Sequence, residues 1–339
     1  MARYVVTGGL GFIGARVVAA LLRRDPSCQL LVFDKWTYSA SPDRLRELTP
    51  THPVEILRGD VCDLERLREG IGAGVDMVIH CAAETHVDRS IDSPRPFVDT
   101  NIVGTYHLLE LARQGFIPHL VVVSTDEVYG DPQRPSAPGD GLQPSSPYAS
   151  SKAAGDLLTQ AWRRTYGIHV SLTRGCNTLG PWQFPEKLVP LALLRWQRGL
   201  SMPLYGDGHH TRDWIDVDDH ADGIVTTGLR GQPGAIYHLG HGQPITNLDL
   251  LTRLARVWQE EGGQLPGQPW IFVPDRPGHD HHYPLRLEEG DRPPGWFPRY
   301  SLDEALRRVV TWTLQHPRWG EERLNLPQWL HLSSEANHA

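Results

Sequence analysis

Apolar runs and amphipathic stretches alternate through the first half of the chain. Tyr4-Val5-Val6 is a short apolar run, and helical spacing follows from about Phe12 to Arg24. Leu30–Phe33, Val54–Leu57, Met77–His80, Leu120–Val123 and Val170–Thr173 read as five further strands. Such runs are continuous rather than alternating, as in a parallel sheet covered by helices on both faces. Phe97, Ile102, Tyr106, Leu108, Leu109 and Ala112 recur at helical spacing and predict a helix over 97–113, and another is predicted over 150–166. The succession predicts an α/β fold with a doubly wound parallel sheet.

Beyond about residue 178 the pattern breaks, Pro and Gly become frequent, and helices are predicted at 188–197, 246–258 and 302–314. This predicts a smaller mixed α/β lobe built from excursions out of the first. The expected division is a cofactor domain over 1–177 with a returning segment at about 212–241, and a substrate lobe over 178–211 and 242–325. Residues 326–339 are expected to form a tail, loosely ordered over the polar stretch 331–339.

The formal net charge of −7 gives no reason to expect nucleic acid or an anionic membrane as partner. An anionic substrate must then be held by a few placed Arg, Lys and backbone N–H groups. No apolar run approaches the roughly 20 residues that span a bilayer, and the first residues run straight into a strand without a secretory signal. Cys28, Cys62, Cys81 and Cys176 form no C-x-x-C pair, which suits reduced thiols. A cytoplasmic location is expected.

Thr7-Gly8-Gly9-Leu10-Gly11-Phe12-Ile13-Gly14 joins the first strand to the first helix. Glycines at 8, 11 and 14 let the backbone turn tightly against a pyrophosphate, and the helix N-terminus offers free N–H groups. A Gly-rich turn alone is a weak signal, but this one sits in the required strand–turn–helix context. Asp34 ends the second strand and suits both ribose hydroxyls of an adenosine, while repelling a 2′-phosphate. NAD is therefore expected rather than NADP, in a Rossmann-type domain. Asp60 and Val61, after the third strand, are placed to meet the adenine.

Tyr148-Ala149-Ser150-Ser151-Lys152 puts a phenol and an ammonium on one helix face. A free Tyr has a pKa of about 10, and a neighbouring cation favours its phenolate, which can take a proton from an alcohol. Tyr-x-x-x-Lys is common by chance on surface helices, and it gains specificity by following a complete dinucleotide-binding pattern. Thr125, after the fifth strand, supplies a hydroxyl to orient the alcohol.

These residues, with the glycine turn and Asp34, resemble the extended short-chain dehydrogenase/reductases, from residue 3 to about 315. The resemblance narrows at Ser124-Thr125-Asp126-Glu127-Val128-Tyr129-Gly130, since the dTDP-glucose 4,6-dehydratases carry the acidic pair that many sugar epimerases lack. Ala82–Ser90, Pro181–Leu188, Arg212-Asp213-Trp214 and Arg276–Asp280 also look like segments of that subfamily. The resemblance implies oxidation of a hexose C4 alcohol, proton abstraction from C5 by Glu127, protonation of the departing C6 hydroxyl by Asp126 and hydride return to C6. Two adjacent carboxyls disfavour double ionisation, so one stays neutral near pH 7.

By the same resemblance, Phe12, Ile13, Lys35, Thr37, Ala82, Ala83, Thr100 and Asn177 join Tyr148 and Lys152 along the cofactor, with Asn101 in that neighbourhood. Ser90, Asn177, Glu186, Lys187, Arg212, Asn247, Arg276 and His279 are implied to bind a nucleotide-linked hexose, dTDP-glucose or a relative. The two helices at 97–113 and 148–166 imply a homodimer through a four-helix bundle. His209, His210, His279, His281 and His282 invite a metal reading. His279 belongs to a subfamily motif and the others fall where the pattern varies or carries Arg, so no metal is expected.

The chain departs from the subfamily at His281-His282, where Arg-Arg is usual, at Thr178-Leu179, where Asn-Tyr is usual, and in Thr37–Ala40, which lacks a Gly. The substitutions at 178, 179, 281 and 282 lie on the substrate side, leave the redox parts intact and suit a paralogue acting on a nucleotide sugar other than dTDP-glucose. An epimerase or a 5,6-dehydratase could use the same scaffold, the latter leaving an alkene. A catalytically silent NAD-binding regulator is disfavoured because Thr125, Tyr148 and Lys152 are all present.

Overall fold

The fold is seen in a computed structural model that describes residues 1–320; the remainder of the expected lobe and the tail at 326–339 lie outside the described residues. The first half runs β1 (Arg3–Thr7), α1 (Phe12–Arg24), β2 (Gln29–Asp34), α2 (Pro42–Leu48), β3 (Glu55–Arg58), α3 (Leu64–Ile71) and β4 (Met77–His80). It continues through α4 (Val87–Asp92), α5 (Arg95–Phe97), α6 (Thr105–Arg113), β5 (Leu120–Thr125), α7 (Pro147–Tyr166) and β6 (Val170–Gly175). The second half holds β7 (Asn177–Leu179), α8 (Leu188–Gln197), β8 (Met202–Tyr205), β9 (Thr211–Arg212), β10 (Trp214–Asp216), α9 (Val217–Arg230) and β11 (Ile236–Leu239). After these come β12 (Ile245–Thr246), α10 (Asn247–Glu260), β13 (Trp270–Val273) and α11 (Leu302–Gln315).

Seven strands form one parallel sheet in the order β11-β6-β5-β4-β1-β2-β3. The order reverses between β1 and β4, which opens a crevice beyond their C-terminal ends. Except in the edge strand β3, whose residues are exposed or half-buried, the apolar runs are buried on both faces: Val6, Val32, Ile79 and Val121 pack into one core with α1 and α9, and Val5, Leu31, Val78 and Val122 into another with α3 and α6. A separate core joins α8, α10 and α11 through residues such as Trp196, Leu254, Trp258 and Val309.

Two boundaries differ from the periodicity. α7 begins at Pro147, three residues before the predicted start at 150, because the Ser146 hydroxyl accepts from Ala149 N and proline suits the first turn. The predicted helix at 97–113 is broken by a π-helical stretch, Val98–Gly104, between α5 and α6. Apolar spacing does not distinguish that stretch from an α-helix, yet it sets the aim of Asn101. Asn101 Nδ2 donates to Glu84 O and to Ser151 Oγ, both at 2.9 Å, and its Oδ1 accepts from Glu84 N. Among the described residues, no helix is long and apolar enough to cross a membrane.

Candidate active site

A cleft of about 420 Å³ opens at the C-terminal ends of the sheet strands and runs from the glycine turn to the second lobe. Gly8 has φ +71°, and a Cβ there would lie 2.6 Å from Ala82 N; a Cβ on Gly14 would lie 2.1 Å from Gly8 O. Only glycine permits this approach of the turn to β4 and of α1 to the turn. The N-terminus of α1 has no side-chain cap and faces the cleft, which Gly8, Gly11, Phe12, Ile13 and Gly14 line. The turn and open helix end fit a dinucleotide pyrophosphate.

Asp34 accepts from Leu10 N at 3.0 Å and Trp36 N at 2.8 Å, so the loop after β2 is folded around its carboxylate. Burial raises that carboxyl's pKa, against both N–H groups. Lys35 pairs with Asp60 at 2.7 Å, and Thr37 lies 3.5 Å from the Ser39 hydroxyl. Val61 is buried against Gly104. Asp34, Lys35, Thr37, Asp60, Val61, Ala82 and Thr100 stay off the walls of the cleft, whereas Ala83, Tyr148, Lys152 and Asn177 line it.

The catalytic candidates converge between β5 and α7. Thr125 Oγ1 donates to Asp126 Oδ1 at 3.1 Å and accepts from Glu127 N at 3.3 Å. Burial, with the Glu127 charge beside it, holds the Asp126 carboxyl well above the usual range, and Asp126 Oδ2 has no hydrogen-bond partner. Burial also raises Glu127, but Arg276 and Arg212 oppose the rise. Both carboxyls are thus shifted upward but biased differently, Asp126 toward keeping a proton and Glu127 held back by the facing cations. Burial and the Glu127 charge raise the Tyr148 phenol, while the Thr125 hydroxyl lowers it. Lys152 Nζ donates to Val123 O at 2.7 Å, and burial lowers its pKa.

Ser90, expected beside the sugar, is fully buried: it donates to Val87 O at 2.6 Å and accepts from Tyr148 N at 3.1 Å. It supports the start of α7 and does not line the cleft.

The far wall comes from the second lobe. Arg212, Asn247, Arg276 and His279 line it with Glu186 and Lys187. Arg212 is aimed by donation to the carbonyls of Thr211, Asp280 and His281. Arg276 pairs with Asp88 at 3.1 Å. Asn247 starts α10, and its buried Oδ1 has no hydrogen-bond partner. Lys187 Nζ donates to Thr85 O at 2.7 Å. Glu186 accepts from Tyr38 OH at 3.0 Å, joining the loop after β2 to the far wall. Thr178 shares a 2.7 Å hydrogen bond with His220, while Leu179 is buried in the second lobe. His282 turns away to Pro132 O at 2.9 Å.

Tyr283 is a residue that sequence reading missed. It is buried in the cleft wall, with the Arg212 guanidinium 4.1 Å from its ring centroid, and burial, followed by the Glu127 charge, raises its phenol. Its only signal is its place just after the Arg276–Asp280 segment.

Residues 4–240 match the model of the NAD dependent epimerase/dehydratase family. The chain is 42% identical over 323 residues to a dTDP-glucose 4,6-dehydratase of an Actinoplanes species, covering 94% of this chain and 99% of that one. It is similar to the crystal structure of the Streptomyces venezuelae dTDP-glucose 4,6-dehydratase with NAD bound, with TM-score 0.88, 39% identity and coverage of 95% and 99% of the two chains. A Thermus thermophilus UDP-glucose 4-epimerase complexed with NAD is more distant, with TM-score 0.77, 29% identity and coverage of 91% and 98%.

Proposed function

Because this chain belongs to the NAD dependent epimerase/dehydratase family, we propose that it is a nucleotide-hexose 4,6-dehydratase, a hydro-lyase that turns an NDP-hexose into the NDP-4-keto-6-deoxyhexose. The observation that carries this reading is the split acidic pair: a buried Asp126 carboxyl with an unpartnered oxygen beside a cation-facing Glu127, both opening on the cleft that holds Tyr148. An epimerase needs only the alcohol relay, whereas loss of water from C5 and C6 needs a base and an acid.

NAD would be held along the turn by Gly8, Gly11 and Gly14 and would supply reversible hydride exchange, first with C4 and last with C6 of the sugar. Tyr148 takes the C4 hydroxyl proton, with Thr125 orienting that hydroxyl and Lys152 favouring the phenolate. The C4 ketone acidifies the C5 proton, which Glu127 removes. Asp126 gives its proton to the C6 hydroxyl, which leaves as water, and as C6 receives hydride Glu127 returns a proton to C5. Asp34 binds the adenosine ribose with Lys35, Thr37, Asp60 and Val61 nearby, and Ala82, Ala83, Thr100 and Asn177 complete the cofactor surroundings. Arg212, Asn247, Arg276 and His279 hold the diphosphate, where a guanidinium can bind two oxygens at once. Glu186 and Lys187 border the nucleotide base.

The substrate is dTDP-glucose or a close relative, a reading supported by the dTDP-glucose 4,6-dehydratases the chain resembles. The NAD-binding domain is 1–177 with the returning segment at about 212–241, and 178–211 with the described residues from 242 onward form the sugar-nucleotide lobe. The enzyme works in the cytoplasm, where its four unpaired cysteines stay reduced. It forms a homodimer through α6 and α7, on which Tyr106 and Leu157 are exposed. Incubation with dTDP-, UDP-, GDP- and CDP-hexoses, read by mass spectrometry and proton NMR, tests this. Loss of one water with a new C6 methyl signal is expected, and isomerisation at constant mass would refute it.

A further inference from the structure

At the rim of the cleft the sugar chemistry uses His279 but leaves its neighbours His210 and Asp275 unexplained. β8 and β13 pair in parallel and end together, and the loops that follow them carry His210 and Asp275. His279 comes from the next turn. One ligand atom from each of His210, Asp275 and His279 lies within 4.8 Å of the others. His279 Nδ1 is 2.6 Å from Asp275 Oδ1, and His210 Nε2 is 3.2 Å from Asp275 Oδ2. The two imidazoles stack with centroids 3.8 Å apart.

His210 supplies the independent observation. It is 3% exposed, its Nδ1 has no partner, and its Nε2 makes no hydrogen bond and meets only the Asp275 carboxylate at 3.2 Å. A buried polar atom without a partner costs roughly 1–3 kcal/mol, and stacking on a neighbouring ring does not relieve it. A lone-pair acceptor such as a metal ion does. Asp275 is held in place, since its Oδ1 also accepts from Arg276 N at 2.9 Å.

We propose that His210, Asp275 and His279 bind a divalent transition-metal ion of the zinc class at the rim of the cleft. Two imidazoles and one carboxylate are the donor set of zinc, whereas magnesium and calcium take oxygen ligands. Zinc–nitrogen bonds of about 2.0–2.1 Å put tetrahedral ligands roughly 3.3 Å apart; the two rings lie 12° from parallel, so one imidazole must tilt out of the stack for both lone pairs to meet one ion. The nearby cations are already engaged, Arg276 by Asp88 and Arg212 by three carbonyls. His279 also lines the cleft, so the fourth coordination position faces the solvent or ligand there. This inference does not rest on the proposed reaction.

The test is calorimetric titration of the untagged full chain, stripped with a chelator, with zinc chloride and no nucleotide. One zinc per chain is expected, with affinity falling at least about tenfold in Asp275→Asn and His210→Val. His209→Ala, whose ring is exposed, should bind zinc as the wild type does. Circular dichroism checks that each variant is folded; Asp275 is part-exposed in a loop, so its variant keeps the test valid if His210→Val unfolds. Absence of zinc binding by the wild type, or equal affinity in the wild type and Asp275→Asn, would overturn the proposal.

Discussion

The two walls of the cleft are built on different principles. The inner wall rests on regular elements: Thr125 ends a buried strand, Asp126 and Glu127 follow it directly, and Tyr148 and Lys152 lie one turn apart on α7. The outer wall is assembled from loop ends and short strands, with Arg212, Arg276 and His279 brought together from separate excursions. A residue on the inner wall cannot move without moving the sheet, whereas the outer wall can exchange side chains locally. The departures from the subfamily at 178, 179, 281 and 282 fall on or near the outer wall, and the relay on the inner wall is intact.

The largest expected effects break the inner wall. Tyr148→Phe and Glu127→Gln should each lower kcat by about 10²–10⁴-fold, the range for loss of a positioned acid or base, with folding unchanged by circular dichroism. They should differ in kind: Glu127→Gln retains C4 oxidation and so accumulates reduced cofactor absorbance, while Tyr148→Phe does not. The frame beneath that wall should be nearly as sensitive. Arg174 and Asp156 form a 2.8 Å ion pair with both side chains 1% exposed. Arg174→Met leaves the carboxylate buried and should cost about 3–5 kcal/mol in denaturant unfolding.

The outer wall should respond less and in another parameter. Arg276→Ala removes a charge-assisted contact of about 1.5–3 kcal/mol, so KM should rise roughly 10–100-fold with a smaller change in kcat. A kcat loss as large as that of Glu127→Gln would erase the distinction between the walls.

Acid should loosen the frame gradually. Burial pushes His80 down to about 3, and His220 and His238 down to about 4. The unfolded chain takes up protons on these groups below about pH 6.5 while the folded chain does not. Stability is therefore full above that pH and declines as pH falls toward the folded values, by up to about 1.4 kcal/mol per histidine per pH unit. Urea unfolding at a series of pH values checks this, and a flat profile between pH 6.5 and 4.5 would contradict it.

The contrast between the walls also explains what the sequence makes legible. Strands buried on both faces leave unbroken apolar runs, so β1, β2, β4, β5 and β6 are visible without a structure, and so is the glycine turn between β1 and α1. β11 is only Ile-Tyr-His-Leu, and α9 opens with buried Asp218, Asp219 and His220, so neither shows a clean period. The π-helical stretch keeps the apolar spacing of an α-helix and is invisible until Asn101 is seen reaching Glu84 and Ser151. Tyr283 and the His210–Asp275–His279 cluster depend on residues far apart in the chain, and their meeting is a tertiary fact. Ser90 was legible as a motif residue, but its burial beneath Tyr148 was not.

The most direct test of the split acidic pair is turnover of dTDP-glucose in deuterium oxide, followed by proton NMR. A 4-keto product with a C6 methyl group and deuterium at C5 is expected, because Glu127 strips the C5 proton and solvent deuterium replaces it. A product of unchanged mass, or one with an alkene and no methyl signal, would contradict it.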